Sequence, residues 1–285
     1  IIAPDNSTNK NIVVAPGEYF ENLRMSKSYV TLISSTGPLE TTINGGGIGS
    51  VFYGISHGTV IDGFTLTGGN GSGATGGFSA INGYDGHRSI FKNLIITGNA
   101  NGPVMRPLPC AIMENVLIAD NTGWNAALYY NGCAGEMEDG LLNHVTIANN
   151  TNMDGILFDN QCGSSGSDYR LNIINSAIWG NQQGSIKIHN DTYSTLDISY
   201  TLLEGGANGI YWDGDEVNAN IEIGNGVITS YPYFNSPETG DFSLSAYSPM
   251  IGAGFDLDVV TLEITNTSDQ STYTTSTTDI LGNAR

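Results

Sequence analysis

Four polar residues recur at one strand position in consecutive segments of the 285-residue chain: Asn131 in LYYNG, Asp159 in ILFDN, His189 in IKIHN and Asp213 in IYWDG. Two residues earlier in each segment stand Tyr129, Leu157, Lys187 and Tyr211. Alternate side chains of an extended strand leave the same face, so both sets point outward together if the segments are strands stacked side by side. Aromatic rings, carboxylates and a cation on one strip suit a carbohydrate groove, where rings stack on sugar faces and polar groups bind hydroxyls. Tyr129, Asn131, Arg106 and Tyr211 are the candidate binding residues, and Asp159, Asp213, His189 and Lys187 the candidate catalytic ones.

Two chemistries fit that set. Asp159 and Asp213 are separated by the segment of His189, which puts their backbones two strand spacings, about 9.6 Å, apart. That is close to the roughly 6.5–9.5 Å between the carboxylates of an inverting glycosidase, in which one acid protonates the leaving oxygen and the other activates water. A β-elimination would instead use Lys187 or His189 as the base that removes the proton beside a uronic acid carboxylate, with Arg106 or Ca²⁺ neutralising that carboxylate. Neither has a catalytic motif behind it. Any soluble solenoid also needs polar residues at its outward positions, so ordinary solvated surface is the competing reading.

The elements that would position these residues are visible as a repeat. One pattern returns six times, as IDGFTLTGG, FKNLIITGN, MENVLIADN, LNHVTIANN, IINSAIWGN and ISYTLLEGG. Its third residues are Gly63, Asn93, Asn115, His144, Asn175 and Tyr200, so successive gaps are 30, 22, 29, 31 and 25 residues. Such a period suits one turn of a three-sided β-solenoid with loops of variable length. Ile61, Phe91, Met113, Leu142, Ile173 and Ile198 form one column expected to point inward, and Leu66, Ile96, Ile118, Ile147, Ile178 and Leu203 form another. Gly69, Asn99, Asn121, Asn150, Asn181 and Gly206 read as a turn column whose residue types tolerate left-handed backbone, with the asparagines as a structural ladder. His144 reads as a bend residue. On the strands that carry the polar strip, Val104, Leu128, Ile156, Ile186 and Ile210 are expected inside, and Met105 outside with Tyr129, Leu157, Lys187 and Tyr211. The column Thr65, Ile95, Leu117, Thr146, Ala177 and Leu202 is outward yet partly apolar, which marks where a second subunit or the C-terminal segment packs.

The fold class is therefore all-β, a right-handed parallel β-helix in the form of a three-sided solenoid without significant helix. Coils span about residues 12–230 and a closing segment spans 231–285, together one domain. VAPGEYFEN, TINGGG and the repeated V-x-I-x-x-N coil resemble the pectin-lyase-like superfamily of bacterial secreted proteins, over essentially the whole chain. The stretch DFSLSAYSPMIGAG with TDILGNAR is similar to tails that precede cell-surface anchoring segments. The resemblance implies export to the medium or the cell surface and a polysaccharide or cell-surface glycan as partner. It implies no single chemistry, because the superfamily holds lyases, hydrolases, esterases and adhesins. Ser185-Ile186-Lys187 echoes the Arg-Ile-Lys of members that hydrolyse polygalacturonate, but their Asn-Thr-Asp and paired Asp-Asp have no counterpart here, nor do the motifs of pectate lyases. The expectation is a carbohydrate-binding or adhesive module; the alternatives are a lyase or inverting hydrolase acting on an acidic polysaccharide, and a structural stalk.

Composition agrees with an exported chain. There are 28 acidic residues against 9 basic ones, a net charge of -19, which repels nucleic acid and anionic membrane surfaces. The acidic excess suits either solubility or Ca²⁺ binding, and no other cofactor is indicated. No apolar run approaches the roughly 18 residues of a membrane span. The chain begins at Ile1, as a mature protein or a piece of a larger one would. Cys110, Cys133 and Cys162 close successive strands of the polar face, where one disulfide among them or three small apolar fillers are equally consistent.

Overall fold

A computed structural model describes residues 10–73, 77–85, 89–107, 110–131, 139–159, 169–189, 194–214, 219–255 and 278–280. Their strands run parallel from coil to coil and make a right-handed parallel β-helix. Among the described residues, helix is confined to two short 3-10 turns, Gly206–Gly209 and Pro237–Thr239. None is long and apolar enough to cross a membrane.

Two faces share one sheet. On the first, Ile61 pairs with Phe91, Phe91 with Met113, Met113 with Leu142, Leu142 with Ile173 and Ile173 with Ile198. On the second, Leu66, Ile96, Ile118, Ile147, Ile178 and Leu203 stack in the same way. Both columns are buried, as their period of two requires, and together they form most of the core. Between the two faces the backbone bends through Gly63, Asn93, Asn115, His144, Asn175 and Tyr200, all of them left-handed. Glycine and asparagine suit that conformation best, so the bend explains the column that marks the repeat. His144 is such a bend residue.

The second corner differs from the sequence expectation by one position. Its left-handed residues are Gly68, Gly98, Asp120, Asn149, Gly180 and Gly205, each immediately ahead of the expected turn column; only Gly206 of that column is itself left-handed. The asparagines that follow turn inward instead. Asn99, Asn121, Asn150 and Asn181 are buried, and each side-chain amide donates to the next one's Oδ1, at 3.0, 3.0 and 2.9 Å along the stack. The ladder is structural, as expected, but its asparagines are chosen for buried amide pairing rather than for backbone tolerance.

The third face is a sheet of its own, with Leu23–Arg24, Phe52–Ser56, Ile81–Asp85, Met105–Arg106, Ala126–Asn131, Asp154–Asp159, Gly184–His189 and Ile210–Asp213 in spatial sequence. Leu128, Ile156 and Ile186 stack inside, with Ile210 half-buried at the end of the row. Met105, expected outside, is in register with Ile81 and Leu128 and is fully buried. Its strand is two residues long, too short for alternation to show which side chain turns inward.

The partly apolar outward column is covered by the chain itself. The antiparallel pair Phe234–Ser236 and Asp241–Leu244 brings Phe234 and Phe242 onto Ala119, Ala148, Ala177 and Leu202, with Leu117 and Met250 at the margin. Further contacts hold the segment: the amide of Asn115 donates to the Thr278 carbonyl at 2.9 Å, and Asn175 exchanges two hydrogen bonds with the Phe255 backbone. Of the two occupants expected for this column, the C-terminal segment is the one observed. Most of the Thr- and Ser-rich stretch expected to close the end, 261–277, lies outside the described residues.

Candidate functional site

The third face carries the strip. Parallel register sets Asn131 beside Asp159 and His189 beside Asp213, and the row Leu157, Lys187 and Tyr211 runs next to it. Arg106 is in register with Asn82 and, one residue on from the Met105–Leu128 pair, opposite Tyr129. Five consecutive coils thus bring together the backbones of all eight sequence-predicted residues. The side chain of Asn131 lies outside the described part.

Each carboxylate on the strip already has a partner. The Tyr129 hydroxyl donates to Asp159 Oδ2, and Asp159 is buried beneath it. His189 Nδ1 stands 3.8 Å from Asp159 Oδ1, beyond hydrogen-bond reach. Lys187 Nζ pairs with Asp213 Oδ2 at 3.0 Å; the lysine side chain is 24% exposed and that of Asp213 50%, so Asp213 is the carboxylate most open to a ligand. Leu157 faces outward but is buried between its neighbours, so it offers no platform. Arg106 is held at three points: its Nε donates to the Gly83 carbonyl at 2.9 Å, its Nη2 to Asn82 Oδ1 at 3.0 Å, and its guanidinium lies 4.8 Å from the centre of the Phe78 ring. Phe78 in turn meets Tyr129 edge-on, with ring centres 5.5 Å apart.

Asp154, which the sequence reading omits, is the structure's addition to the site. It opens the strand Asp154–Asp159, ahead of the stretch in which alternation is readable, and is almost wholly buried. The Tyr211 hydroxyl crosses two coils to donate to Asp154 Oδ1 at 2.5 Å. The ring passes Gly184, where a Cβ would stand 2.9 Å from Tyr211 Cε1 and 3.1 Å from Asp154 Oδ1. A glycine at that position is what lets the tyrosine lie down along the strip. Burial pushes the Asp154 carboxyl above the ordinary aspartate range; the Tyr211 hydrogen bond and the Lys187 charge act against that rise, and the Asp213 charge adds to it. Desolvation and the adjacent Asp154 carboxylate push the Tyr211 phenol well above its usual value. No local sequence signal could reveal this pair, because its members are 57 residues apart.

Among the described residues no three Asp, Glu, His or Cys side chains converge on one point, and the strip's aspartates are occupied by Tyr129, Lys187 and Tyr211. Cys110 is buried and its backbone N–H donates to the Tyr130 hydroxyl at 3.2 Å; Cys133 and Cys162, the other members of the expected disulfide set, lie outside the described residues.

No protein-family model matches the sequence, and no curated protein does. Among solved structures, the chain is similar to a pectin methylesterase from Yersinia enterocolitica, at 12% identity and a TM-score of 0.41 over 89% of this chain and 97% of that one. It is similar to a pectin methylesterase from Erwinia chrysanthemi at 12% identity and a TM-score of 0.39, over 85% and 92% of the two chains. The A-module of a mannuronan C-5 epimerase from Azotobacter vinelandii aligns at 14% identity and a TM-score of 0.32, over 78% and 89%.

Proposed function

We propose that this chain is a secreted or cell-surface β-helix module that binds a polysaccharide along its third face. The observation that carries the reading is the fixed strip: Tyr129 is tied to Asp159, Tyr211 to Asp154 and Lys187 to Asp213, all on strands in register. Side chains already held in place lose little conformational freedom when a ligand arrives, which favours recognition of a weakly interacting, hydroxyl-rich polymer. Tyrosine rings contribute apolar surface for sugar faces, while the half-exposed Asp213 and the partly exposed Lys187 offer hydrogen bonds at the edges.

A glycan-array screen of the whole chain, run beside an assay for released or unsaturated sugar products, tests this. Binding without turnover is expected, and Tyr129→Ala and Tyr211→Ala should each weaken it by about tenfold or more, the cost of losing a buried aromatic contact of ~1.4 kcal/mol. Wild-type binding that survives both substitutions unchanged would remove the third face from the account.

Catalysis is the second reading, favoured by one contrast. The Asp159 side chain is 1% exposed and that of Asp213 50%, and carboxylates in environments this different are what an acid and a base require. Lys187, ion-paired with Asp213, is ill placed to accept a proton, which leaves His189 as the base an elimination would need. Product release abolished by both Asp159→Asn and Asp213→Asn would replace binding with hydrolysis as the function.

A further inference from the structure

The strip's charged side chains are already engaged by partners within the protein, and that bears on which glycan it takes. Recognition of a uronate or sulfate polymer needs cations free to meet the ligand's anions. Among the described residues, one lysine and one arginine belong to the central strip. Lys187 is paired with Asp213 at 3.0 Å, and Arg106 is turned onto Gly83, Asn82 and the Phe78 ring. Against them stand three carboxylates, Asp154, Asp159 and Asp213, of which Asp213 keeps half its side chain open to solvent. A protein of net charge -19 adds long-range repulsion toward any polyanion.

Resting on the binding reading above, we infer that the ligand is a glycan recognised through hydrogen-bond donors, a neutral polysaccharide or one bearing free amines, and not a polyuronate or sulfated chain. Ligand hydroxyls or ammonium groups donate to Asp213, half of whose side chain stays open to solvent beside the Lys187 pair, while Tyr129 and Tyr211 meet the sugar faces. The neutral and amine-bearing sources differ in how they respond to salt: attraction of an amine to the acidic strip weakens as ionic strength rises, and contacts to hydroxyls do not.

The test is affinity electrophoresis and calorimetry of the whole chain with four probes: hydroxyethylcellulose, chitosan oligosaccharides, polygalacturonate and alginate. The expected result is binding to one or both of the first two, at least about tenfold tighter than to either uronate polymer. Asp213→Asn should weaken that binding several-fold, whereas non-specific attraction of chitosan to the whole acidic surface would scarcely change with one charge in nineteen. Lys187→Ala, which frees Asp213, should tighten the chitosan probe; a loss instead would show that the lysine itself holds the ligand. A preference for polygalacturonate or alginate overturns this inference and leaves the binding reading standing. Silence with all four, together with an empty glycan array, overturns both.

Discussion

At the residue scale, the pair formed by Tyr211 and Asp154 is where structure and proposed recognition meet. Tyr211→Phe removes the hydrogen bond that this ring donates to Asp154 and leaves a buried carboxylate less well satisfied, which should cost about 1–3 kcal/mol in urea unfolding. Gly184→Ala acts on the same contact from the side, since its Cβ would stand 2.9 Å from the ring. The ring can move aside only by giving up its bond to Asp154, so this variant should lose about the same 1–3 kcal/mol as Tyr211→Phe and bind glycan as weakly as Tyr211→Ala. Unchanged binding would mean that the ring's position does not matter. The shared face of the eight candidate residues was legible because outward side chains of adjacent coils share a strand position in the repeat. Asp154 and Gly184 were not, since their role depends on a side chain that reaches across two coils. Met105 was misplaced for a different reason: its strand of two residues supplies no alternation.

At the element scale, the asparagine ladder does for one corner of the solenoid what the apolar columns do for its faces. Asn121 is the best-connected rung. Its amide donates to the carbonyls of Ile96 and Ala119 and to Asn150 Oδ1, at 2.9, 3.0 and 3.0 Å, while its own Oδ1 accepts from the backbone and side chain of Asn99. Asn121→Ala strands several buried groups at once, and with each costing about 1–3 kcal/mol the loss should be at least ~3 kcal/mol. Urea unfolding reads it directly; a loss below about 1 kcal/mol would mean that water replaces the side chain and the ladder is dispensable. The repeat made this column visible because Asn recurs there, but Gly, Asn and Asp also occupy the position before it. Residue type alone therefore does not say which of two neighbours takes the left-handed backbone and which is buried. The C-terminal cover was legible only as an apolar interruption in an outward column, because the sequence shows that such a surface must be buried but not by what.

At the scale of the whole molecule, acidity sets how stability follows pH. Burial raises the carboxyls of Asp62, Asp120, Asp139 and Asp154 above the ordinary aspartate value of 3.8, in each case as the largest influence. A carboxyl whose folded value is raised keeps its proton longer in the native state than in the unfolded chain. Its contribution to stability is fully present below the unfolded value and is lost as pH rises through the folded one. Glu222, bonded to Arg170, and Asp241, bonded to Ser243, are shifted downward and work in the opposite sense, losing their contribution as pH falls through their folded values; both lie at the surface, where solvent screens the effect. Protonation also relieves the self-repulsion of a chain carrying a net charge of -19. The melting temperature should therefore rise as pH is lowered from about 8 to about 4.5, and added salt should raise it more at the upper end, where repulsion between exposed charges is strongest. Asp154→Asn should flatten the rise, because it removes a buried carboxyl that gains from keeping its proton. A melting temperature that falls steadily over the same interval would show instead that the surface pairs of Arg170 govern the balance, and that burial of the aspartates costs the fold little.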